Sequence, residues 1–295
     1  MAERPLTLAC LAWPVEPLAD VAAYAAKLDA WCAEAKARGA DLLLAPEYAC
    51  VELGAALAGV EMADEAAELR AMVAAADVVL AAMRAAARRH ALWLAPGTLP
   101  MADGARVVNR APLITPDGRL AFQEKHRMTR FEAERWGVAA GAPPGVFETP
   151  WGRLGLAICY DAEFPTLVRA QVEAGAWLVL VPTCTDTAHG FNRVRIAARA
   201  RAMENQCFVA VAPTVGGFAA SAALDENHGA AAIYGPVDRG FAPDGVIAEG
   251  GWDAPGLVVA TLDPAALARV RAEGAVFNHR DWPAPPPPAS PRGFA

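Results

Sequence analysis

In the first half of this chain, apolar runs of strand length alternate with alanine-rich segments of helical length. The apolar runs favour buried strands, and the alanine-rich segments favour helices. One helix is predicted between an N-cap at Asp20 and Gly39, and another over 63–90 with a break near Asp77. The predicted strands of this half are 6–13, 41–45 and 91–99, followed by a hairpin over 107–125 with a Pro116-Asp117-Gly118 turn.

The second half repeats this order of predicted elements. They are strand 154–158, helix 167–176, strand 177–183, helix 194–206, strand 207–216, a hairpin over 231–250 with a second Pro-Asp-Gly turn, and strand 257–263. The chain therefore resembles two copies of β-α-β-α-β-β. Such a duplication predicts an α/β fold in which two sheets pack face to face and helices cover both outer faces, a four-layer α-β-β-α sandwich.

Length and composition agree with one large folded unit. The chain has 295 residues, of which 55% are hydrophobic and 20% charged, so it can build a full core. We predict a single domain over 1–280 and a proline-rich tail over 281–295. That composition favours a tail that is extended, disordered or laid on a partner subunit.

Charge and cysteine usage narrow the possible partners. The net charge is −7 and basic residues form no long run, so neither nucleic acid nor an anionic membrane is expected as a partner. No signal peptide and no apolar stretch of about 18 residues is found, so no membrane span is expected. Six cysteines occur without a CxxC pair, which argues against a metal site and favours reduced thiols in the cytoplasm.

Three polar residues stand at predicted strand ends. Glu47 follows the second strand, Lys125 ends the first hairpin, and Cys159 ends the first strand of the second copy, before a turn and a helix begun by Pro165. Side chains just past strand ends line the sites of α/β folds, and packing of the two copies would bring these three to one edge. Each taken alone also fits an ordinary role, namely a solvated carboxylate, a surface lysine and a buried thiol.

The segments around these residues resemble a known family. PEY around Glu47, EKHRMTRFE around Lys125 and ICYDAEFP around Cys159 resemble, in order, the three signature blocks of the nitrilase superfamily of carbon–nitrogen hydrolases. The resemblance extends over roughly 6–265. Within the superfamily, MTRFEAERWG together with VPTCTDT is most similar to a branch sometimes fused to an acetyltransferase-like domain.

The resemblance implies a role for each of these residues. Cys159 would be the nucleophile that attacks an amide or nitrile carbon to give a thioester. Glu47 would be the base that takes the thiol proton and later protonates the departing amine. Lys125 would stabilise the oxyanion together with the backbone N–H of Tyr160, and would help to ionise Cys159.

The superfamily also has a second glutamate after the lysine, for which this chain offers two candidates. Glu132 fits better than Glu134, because an aromatic residue and Gly137 follow it at the family's spacing. It would orient Lys125 and the substrate nitrogen or the attacking water. The alternative is an ordinary salt bridge of Glu132 with a nearby arginine, Arg130 or Arg135.

The substrate pocket is predicted from positions just past strand ends. The predicted substrate-binding residues are Tyr48, Tyr160, Thr183, Cys184 and Thr185. This chemistry needs no cofactor and no metal. The expected partners are a small-molecule amide or nitrile substrate and further copies of the chain in a homodimer or larger homo-oligomer, as the resemblance implies.

The function predicted from these features is a thiol-dependent hydrolase of non-peptide carbon–nitrogen bonds, an amidase that forms a carboxylate plus ammonia or amine. A nitrilase or an N-carbamoyl amidohydrolase would use the same site. Two rival hypotheses remain open. One is a papain-type Cys-His hydrolase with His126 or His189 as base, and the other is a catalytically silent binding or scaffold protein that keeps the fold.

Overall fold

The computed structural model describes residues 4–282, and the first half of this range forms one sheet with helices on one side. Its strands pair in the order β4-β5-β3-β2-β1, and β6 and β7 flank β5. The elements are β1 (Leu6–Val15), α1 (Val21–Ala37), β2 (Leu42–Leu44), α2 (Gly54–Ala58), α3 (Glu65–His90), β3 (Trp93–Ala95), β4 (Leu99–Asp103), β5 (Arg106–Ile114), β6 (Leu120–Glu124) and β7 (Val138–Ala139). A 3₁₀-helical turn (Ala49–Leu53) precedes α2, and a π-helical turn (Phe131–Trp136) precedes β7.

The second half forms a second sheet. Its elements are β8 (Val146–Thr149), β9 (Gly152–Leu156), a 3₁₀-helical turn (Cys159–Glu163), α4 (Pro165–Glu173), β10 (Leu178–Thr183), α5 (Ala188–Asn205), β11 (Phe208–Gly216), β12 (Ala232–Tyr234), β13 (Val246–Glu249), β14 (Gly256–Leu262) and α6 (Pro264–Glu273). Strands β8 to β13 pair in the order β8-β9-β10-β11-β12-β13. The parallel pairs β9-β10 and β10-β11 bring the ends of these strands to one edge, as a crossover through α4 or α5 requires.

The side chains of β1 show the layering. Alternate residues from Leu6 to Ala12 pack into a core shared with the second sheet, and those from Ala9 to Val15 pack against the helices α1 and α3. A strand whose two faces are both buried separates two layers of core. This alternation is what the predicted four-layer arrangement requires.

Two pairings join the halves. The last residues of β1, Trp13–Val15, pair in parallel with Thr214–Gly216 of β11. Strand β14 pairs antiparallel with β1 over seven residues. The final strand was expected to complete the second copy, but it extends the sheet of the first half instead.

Three predicted elements differ from the structure. The helix predicted over 194–206 begins earlier, at Ala188. The break near Asp77 is wrong, because α3 runs unbroken and Asp77 lies on its exposed side, while Met72, Val79 and Met83 form a continuous buried face. The single strand over 91–99 is also wrong, since β3 and β4 are separate strands. Helix α6 was not predicted. The predicted tail lies almost entirely outside the described residues.

The strand over 91–99 is divided by a close backbone approach. Gly97 has a φ of +93°, and a Cβ atom there would lie 1.9 Å from the carbonyl oxygen of Pro46. Only glycine allows this contact. The backbone after β3 is thereby packed directly against the residue that precedes Glu47.

Candidate active site

Cys159 lies on a sharp turn between β9 and α4. Its backbone φ is +48°, in the left-handed region that non-glycine residues rarely adopt. Backbone strain of this kind is concentrated at functional sites. The Sγ atom accepts a hydrogen bond from Oγ1 of Thr183 at 3.2 Å and donates one to the carbonyl oxygen of Cys184 at 3.6 Å. The thiol is thus held at the edge of the second sheet.

Glu47 lies in the loop after β2, and its carboxylate is almost fully buried. Its hydrogen-bond donors come from both halves of the chain. Oε1 accepts from Nδ2 of Asn109 at 3.0 Å and from Nζ of Lys125 at 2.8 Å, and Oε2 accepts from the backbone N–H of Cys184 at 3.2 Å. The carboxylate is therefore fixed between the two sheets.

Lys125 directly follows β6 and is buried between two carboxylates. Its Nζ atom lies 2.8 Å from Oε1 of Glu47 and 2.6 Å from Oε2 of Glu132, and none of the three side chains is more than 2% exposed. A buried lysine is stable only when it is paired in this way. When both carboxylates are ionised, the group carries a net negative charge beside the Cys159 thiol.

Glu132, rather than Glu134, is the glutamate beside Lys125. It belongs to the π-helical turn, a form of helix that is frequent at functional sites. The hydroxyl of Tyr48 donates to its Oε1 at 2.8 Å, and the Thr129 hydroxyl donates to its Oε2 at 2.9 Å. Glu134 lies at the surface and pairs with Arg130 at 2.8 Å. The alternative of a salt bridge between Glu132 and a nearby arginine is therefore not observed.

The pKa values of Glu47 and Cys159 are both raised. The pKa of Glu47 is raised to about 7, because burial and the charge of Glu132 raise it by more than Lys125 and the Cys159 thiol lower it. Burial also raises the pKa of Cys159 well above its ordinary value, and the charge of Glu47 adds to this rise. Lys125 lowers the pKa of Cys159, but by less than these two effects raise it. The pKa of the thiol therefore stays above its ordinary value, while Lys125 acts in the direction expected of a cation that helps to ionise it.

The other two groups keep their charges. Burial would raise the pKa of Glu132, but the charge and the hydrogen bond of Lys125 hold it below its usual value. Burial would lower the pKa of Lys125, but Glu132 and Glu47 together raise it well above its usual value. Lys125 and Glu132 thus form a buried ion pair beside the Cys159 thiol and the Glu47 carboxylate.

Two buried residues support this group and were not identified from the sequence. Asp161 follows Cys159 by two positions. Its carboxylate accepts hydrogen bonds from the backbone N–H of Arg127 at 2.7 Å and of His126 at 3.2 Å. These bonds connect the Cys159 turn to the loop after Lys125. Asn109 donates to Glu47 from the middle of β5. A polar residue inside the apolar run VVNRAPLI was the available signal for Asn109.

A cavity of about 730 Å³ opens onto Cys159, Lys125 and both buried glutamates. Four of the five predicted substrate-binding residues line it: Tyr48, Tyr160, Cys184 and Thr185. Thr183 lies behind the thiol rather than on the cavity wall, since it is fully buried and bonds to Sγ. Met128 and Phe131 add apolar surface.

Neither candidate histidine of the papain-type hypothesis contacts the thiol within the described range of the chain. The ring of His126 bonds through Nδ1 to the carbonyl oxygen of Gly141 at 3.0 Å. His189 is exposed in the first turn of α5. The charged side chains that act on the pKa of Cys159 are Glu47 and Lys125.

Neither a membrane span nor a metal cluster is found in residues 4–282. None of the helices there is long and apolar enough to cross a membrane. In the same range, no three histidine, cysteine or acidic side chains are grouped so that they could hold a metal ion.

Comparison with known proteins gives the same picture over most of the chain. A family model described as Carbon-nitrogen hydrolase matches residues 7–272. The chain is 35% identical over 176 residues to the probable hydrolase YhcX of Bacillus subtilis (strain 168), a match that covers 60% of this chain and only 34% of that protein's length. It is 29% identical over 249 residues to the deaminated glutathione amidase of Synechocystis sp. (strain PCC 6803 / GT-S), covering 78% of this chain and 88% of that protein.

Solved structures are also similar. The amidase from Nesterenkonia sp. AN1, solved as a double mutant in complex with acrylamide, has a TM-score of 0.71 and 27% identity, covering 94% of this chain and 97% of that one. Saccharomyces cerevisiae Nit3, a member of branch 10 of the nitrilase superfamily, has a TM-score of 0.73 at 19% identity, covering 95% and 98%. These likenesses confirm the predicted layered α/β fold.

Proposed function

The chain belongs to the carbon–nitrogen hydrolase family, and on that premise we propose that it is a thiol-dependent amidase. It converts an amide to a carboxylate plus ammonia or an amine through a thioester acyl-enzyme. The main support is the buried group in which Lys125 lies between Glu47 and Glu132 beside the strained Cys159. The similarity to two amidases supports the same class of reaction.

The first half of the reaction forms the thioester. Glu47 takes the proton of the Cys159 thiol as Sγ attacks the carbonyl carbon, and the carbonyl oxygen becomes an oxyanion. Nζ of Lys125 and the backbone N–H of Tyr160 stabilise this oxyanion; the N–H lies in the first turn of a 3₁₀ helix, where it has no acceptor within the helix. Glu47 then gives its proton to the substrate nitrogen, the C–N bond breaks, and the amine leaves.

The second half releases the acid. Glu47, now ionised again, takes a proton from a water molecule that attacks the thioester carbon. The second oxyanion collapses, the C–S bond breaks, and the thiolate recovers the proton from Glu47. Glu132 holds Lys125 in place in both halves. A Glu47 pKa of about 7 suits a group that must accept and donate a proton in turn.

The first test is ammonia release from separate pools of primary amides, carbamoyl compounds and nitriles. The wild type should release ammonia from the amide pool, Cys159→Ala should release none, and the matched control Cys207→Ala, which removes a buried thiol of α5–β11, should behave as the wild type. Intact-mass spectrometry should show an acyl adduct on Cys159.

Other outcomes have defined meanings. Release from the nitrile or carbamoyl pool alone would identify the corresponding alternative hydrolase. Turnover by a folded Cys159→Ala variant would contradict the mechanism. The silent scaffold would be favoured if no pool gave ammonia and no substrate, including secondary amides, gave an adduct.

We also propose a homodimer or larger homo-oligomer in the cytoplasm. On the outer face of α5, Ile196 and Met203 are 65% and 39% exposed, and Val237, which lines the same groove as Met203, is 43% exposed. Exposed apolar side chains grouped on one face can mark an interface between protein molecules. Sedimentation analysis should give an oligomer for the wild type and a smaller species for Ile196→Glu.

We further propose that the chain represents the branch sometimes fused to an acetyltransferase-like domain. The support is its 35% identity to a B. subtilis protein most of whose length lies outside the match.

A further inference from the structure

One wall of the cavity comes from a connection between β11 and β12 that no motif singled out. We call residues 218–226 the wall loop. Four of its residues line the cavity: Ala222, Ala223, Asp225 and Glu226. The catalytic residues Glu47 and Lys125 belong to the first half of the chain, whereas the wall loop belongs to the second. Its position against the first half therefore affects the width of the cavity.

The base of the wall loop is closed within the second half. Asn227 and Gly216 form an isolated bridge, with Gly216 N–H donating to the Asn227 carbonyl at 3.0 Å and Nδ2 of Asn227 donating back to the Gly216 carbonyl at 3.1 Å. Oδ1 of Asn227 also accepts from the thiol of Cys184 at 3.2 Å. These bonds fix where the loop leaves and rejoins the sheet. They do not fix the position of its tip, residues 218–225.

The tip is held by one carboxylate of the first half. Glu68, in the first turn of α3, is fully buried. Its Oε2 accepts from the Ser221 hydroxyl at 3.1 Å and its Oε1 from the Ala222 N–H at 2.8 Å. The Ser221 hydroxyl in turn accepts the N–H of Leu224 at 3.2 Å. Within residues 4–282, the two bonds to Glu68 are the only hydrogen bonds between the tip, 218–225, and the first half.

Glu68 is itself clamped by the segment that follows the catalytic glutamate. Helix α2 begins at Gly54 directly over the carboxylate, since a Cβ atom at Gly54 would lie 3.1 Å from Oε2 of Glu68. Leu224 of the loop packs in the same core cluster as Leu53. The carboxylate therefore has little freedom to follow a displaced loop.

We propose that Glu68 is a specificity-determining positioning residue that fixes the wall loop and so sets the space open to the part of the substrate beyond the reacting amide. The cavity of about 730 Å³ lies in the range of pockets that hold drug-sized ligands, far larger than a two- or three-carbon amide requires. The substrate class is an amide whose acyl group extends from Cys159 to the wall loop. This substrate class, though not the anchoring role of Glu68, rests on the proposed amidase function.

Kinetics with short and long amides test the proposal. In Glu68→Gln, an amide nitrogen replaces one acceptor, and in Ser221→Ala one donor is lost while the carboxylate remains. Both variants should raise KM for a long amide such as octanamide at least tenfold, while kcat for propionamide changes less than twofold. The double variant should be no worse than Glu68→Gln. Glu61→Gln, which changes an exposed glutamate just before α3, should match the wild type.

A second readout needs no turnover. The rates at which iodoacetamide and the bulkier N-phenylmaleimide alkylate Cys159 are measured by peptide mapping, so that Cys184 is counted separately. The ratio of the two rates should shift at least fivefold in Glu68→Gln and Ser221→Ala. If the ratio of alkylation rates shifts but the protein hydrolyses no amide, the proposed amidase function is contradicted and the positioning role of Glu68 is supported. An unshifted ratio, or equal losses for short and long amides, would overturn that role.

Discussion

At the scale of single residues, the proton of Cys159 and the charge of Glu47 are linked. Lys125 has one charge to share between two buried carboxylates, and Glu132 holds it with the shorter contact, 2.6 Å against 2.8 Å. Glu132 therefore stays ionised, while burial leaves Glu47 with a pKa of about 7. The site thus separates two chemically identical side chains into a fixed charge and a proton carrier.

This separation predicts the acid limb of the pH profile. Glu47 must be ionised to accept the thiol proton, so kcat/KM should rise about tenfold per pH unit below pH 7 and level off above its pKa. Asn109→Ala removes a donor to the ionised carboxylate and should move the limb upward by about half a unit to one unit. Both proteins are compared by measuring kcat/KM from pH 5 to pH 9. A wild-type profile that is already level at pH 5.5 would assign the acid limb to a carboxylate with an ordinary pKa rather than to Glu47.

The same separation predicts different effects for two neighbouring glutamates. Glu132→Gln removes one partner of a buried ion pair and leaves the charge of Lys125 less compensated. Such a change lowers the free energy of unfolding by about 3 kcal/mol or more. We expect kcat/KM to fall about a hundredfold or more. Glu134→Gln removes a surface ion pair that contributes less than about 1 kcal/mol to stability. Its kcat/KM should stay within about fivefold of the wild-type value. Similar kcat/KM values for the two folded variants would remove Glu132 from the site.

The residues proposed to react can be singled out from the sequence more easily than the residues that hold them. Glu47, Lys125 and Cys159 each lie in a short local motif. Asn109 and Asp161 act through hydrogen bonds to segments 62 and 34–35 positions away, and no local pattern records such a partner. The raised pKa of Cys159 likewise depends on burial, so it follows from the folded site and not from the local sequence.

At the scale of elements, the site depends on loops that are tied to one another. Asp161 in the 3₁₀ turn accepts two N–H groups from the loop after β6, and this places Cys159 and Lys125 in one frame. Local patterns predict a helix start where a capping side chain is present, as at Asp20, whose side chain accepts from Ala23 N–H at 2.8 Å. They do not predict interruptions of a strand that a tertiary contact causes, such as the interruption at Gly97.

The tie between these loops can be tested by one substitution. Asp161→Asn keeps the shape but replaces one acceptor with a donor that faces an N–H group, at a cost of about 1–3 kcal/mol. We expect kcat to fall about 10- to 100-fold with a smaller change in KM, because Lys125 and Cys159 lose their alignment. Asp117→Asn, in the exposed turn between β5 and β6, is the matched control. Unchanged kcat in Asp161→Asn would show that the tie is dispensable.

At the scale of the whole molecule, neither half contains a complete site. Glu47, Lys125 and Glu132 come from the first half, and Cys159 and the backbone N–H of Cys184 from the second. The duplication in the sequence predicts two similar sheets. It does not predict which strands join them, because those pairings connect residues far apart in the chain. Strand β14 lies at the end of the chain and pairs with β1 at its beginning, over Leu6–Ala12.

This pairing predicts how the chain responds to shortening. A chain that ends at Pro255 lacks β14 and α6, so one edge of β1 loses its partner along seven residues whose side chains are almost all buried. An open apolar edge strand promotes aggregation, and we expect an insoluble product without a cooperative unfolding transition. A chain that ends at Trp282 keeps every contact described above and should unfold cooperatively and retain turnover. A soluble, cooperatively folded product ending at Pro255 would show that the two sheets hold together without β14.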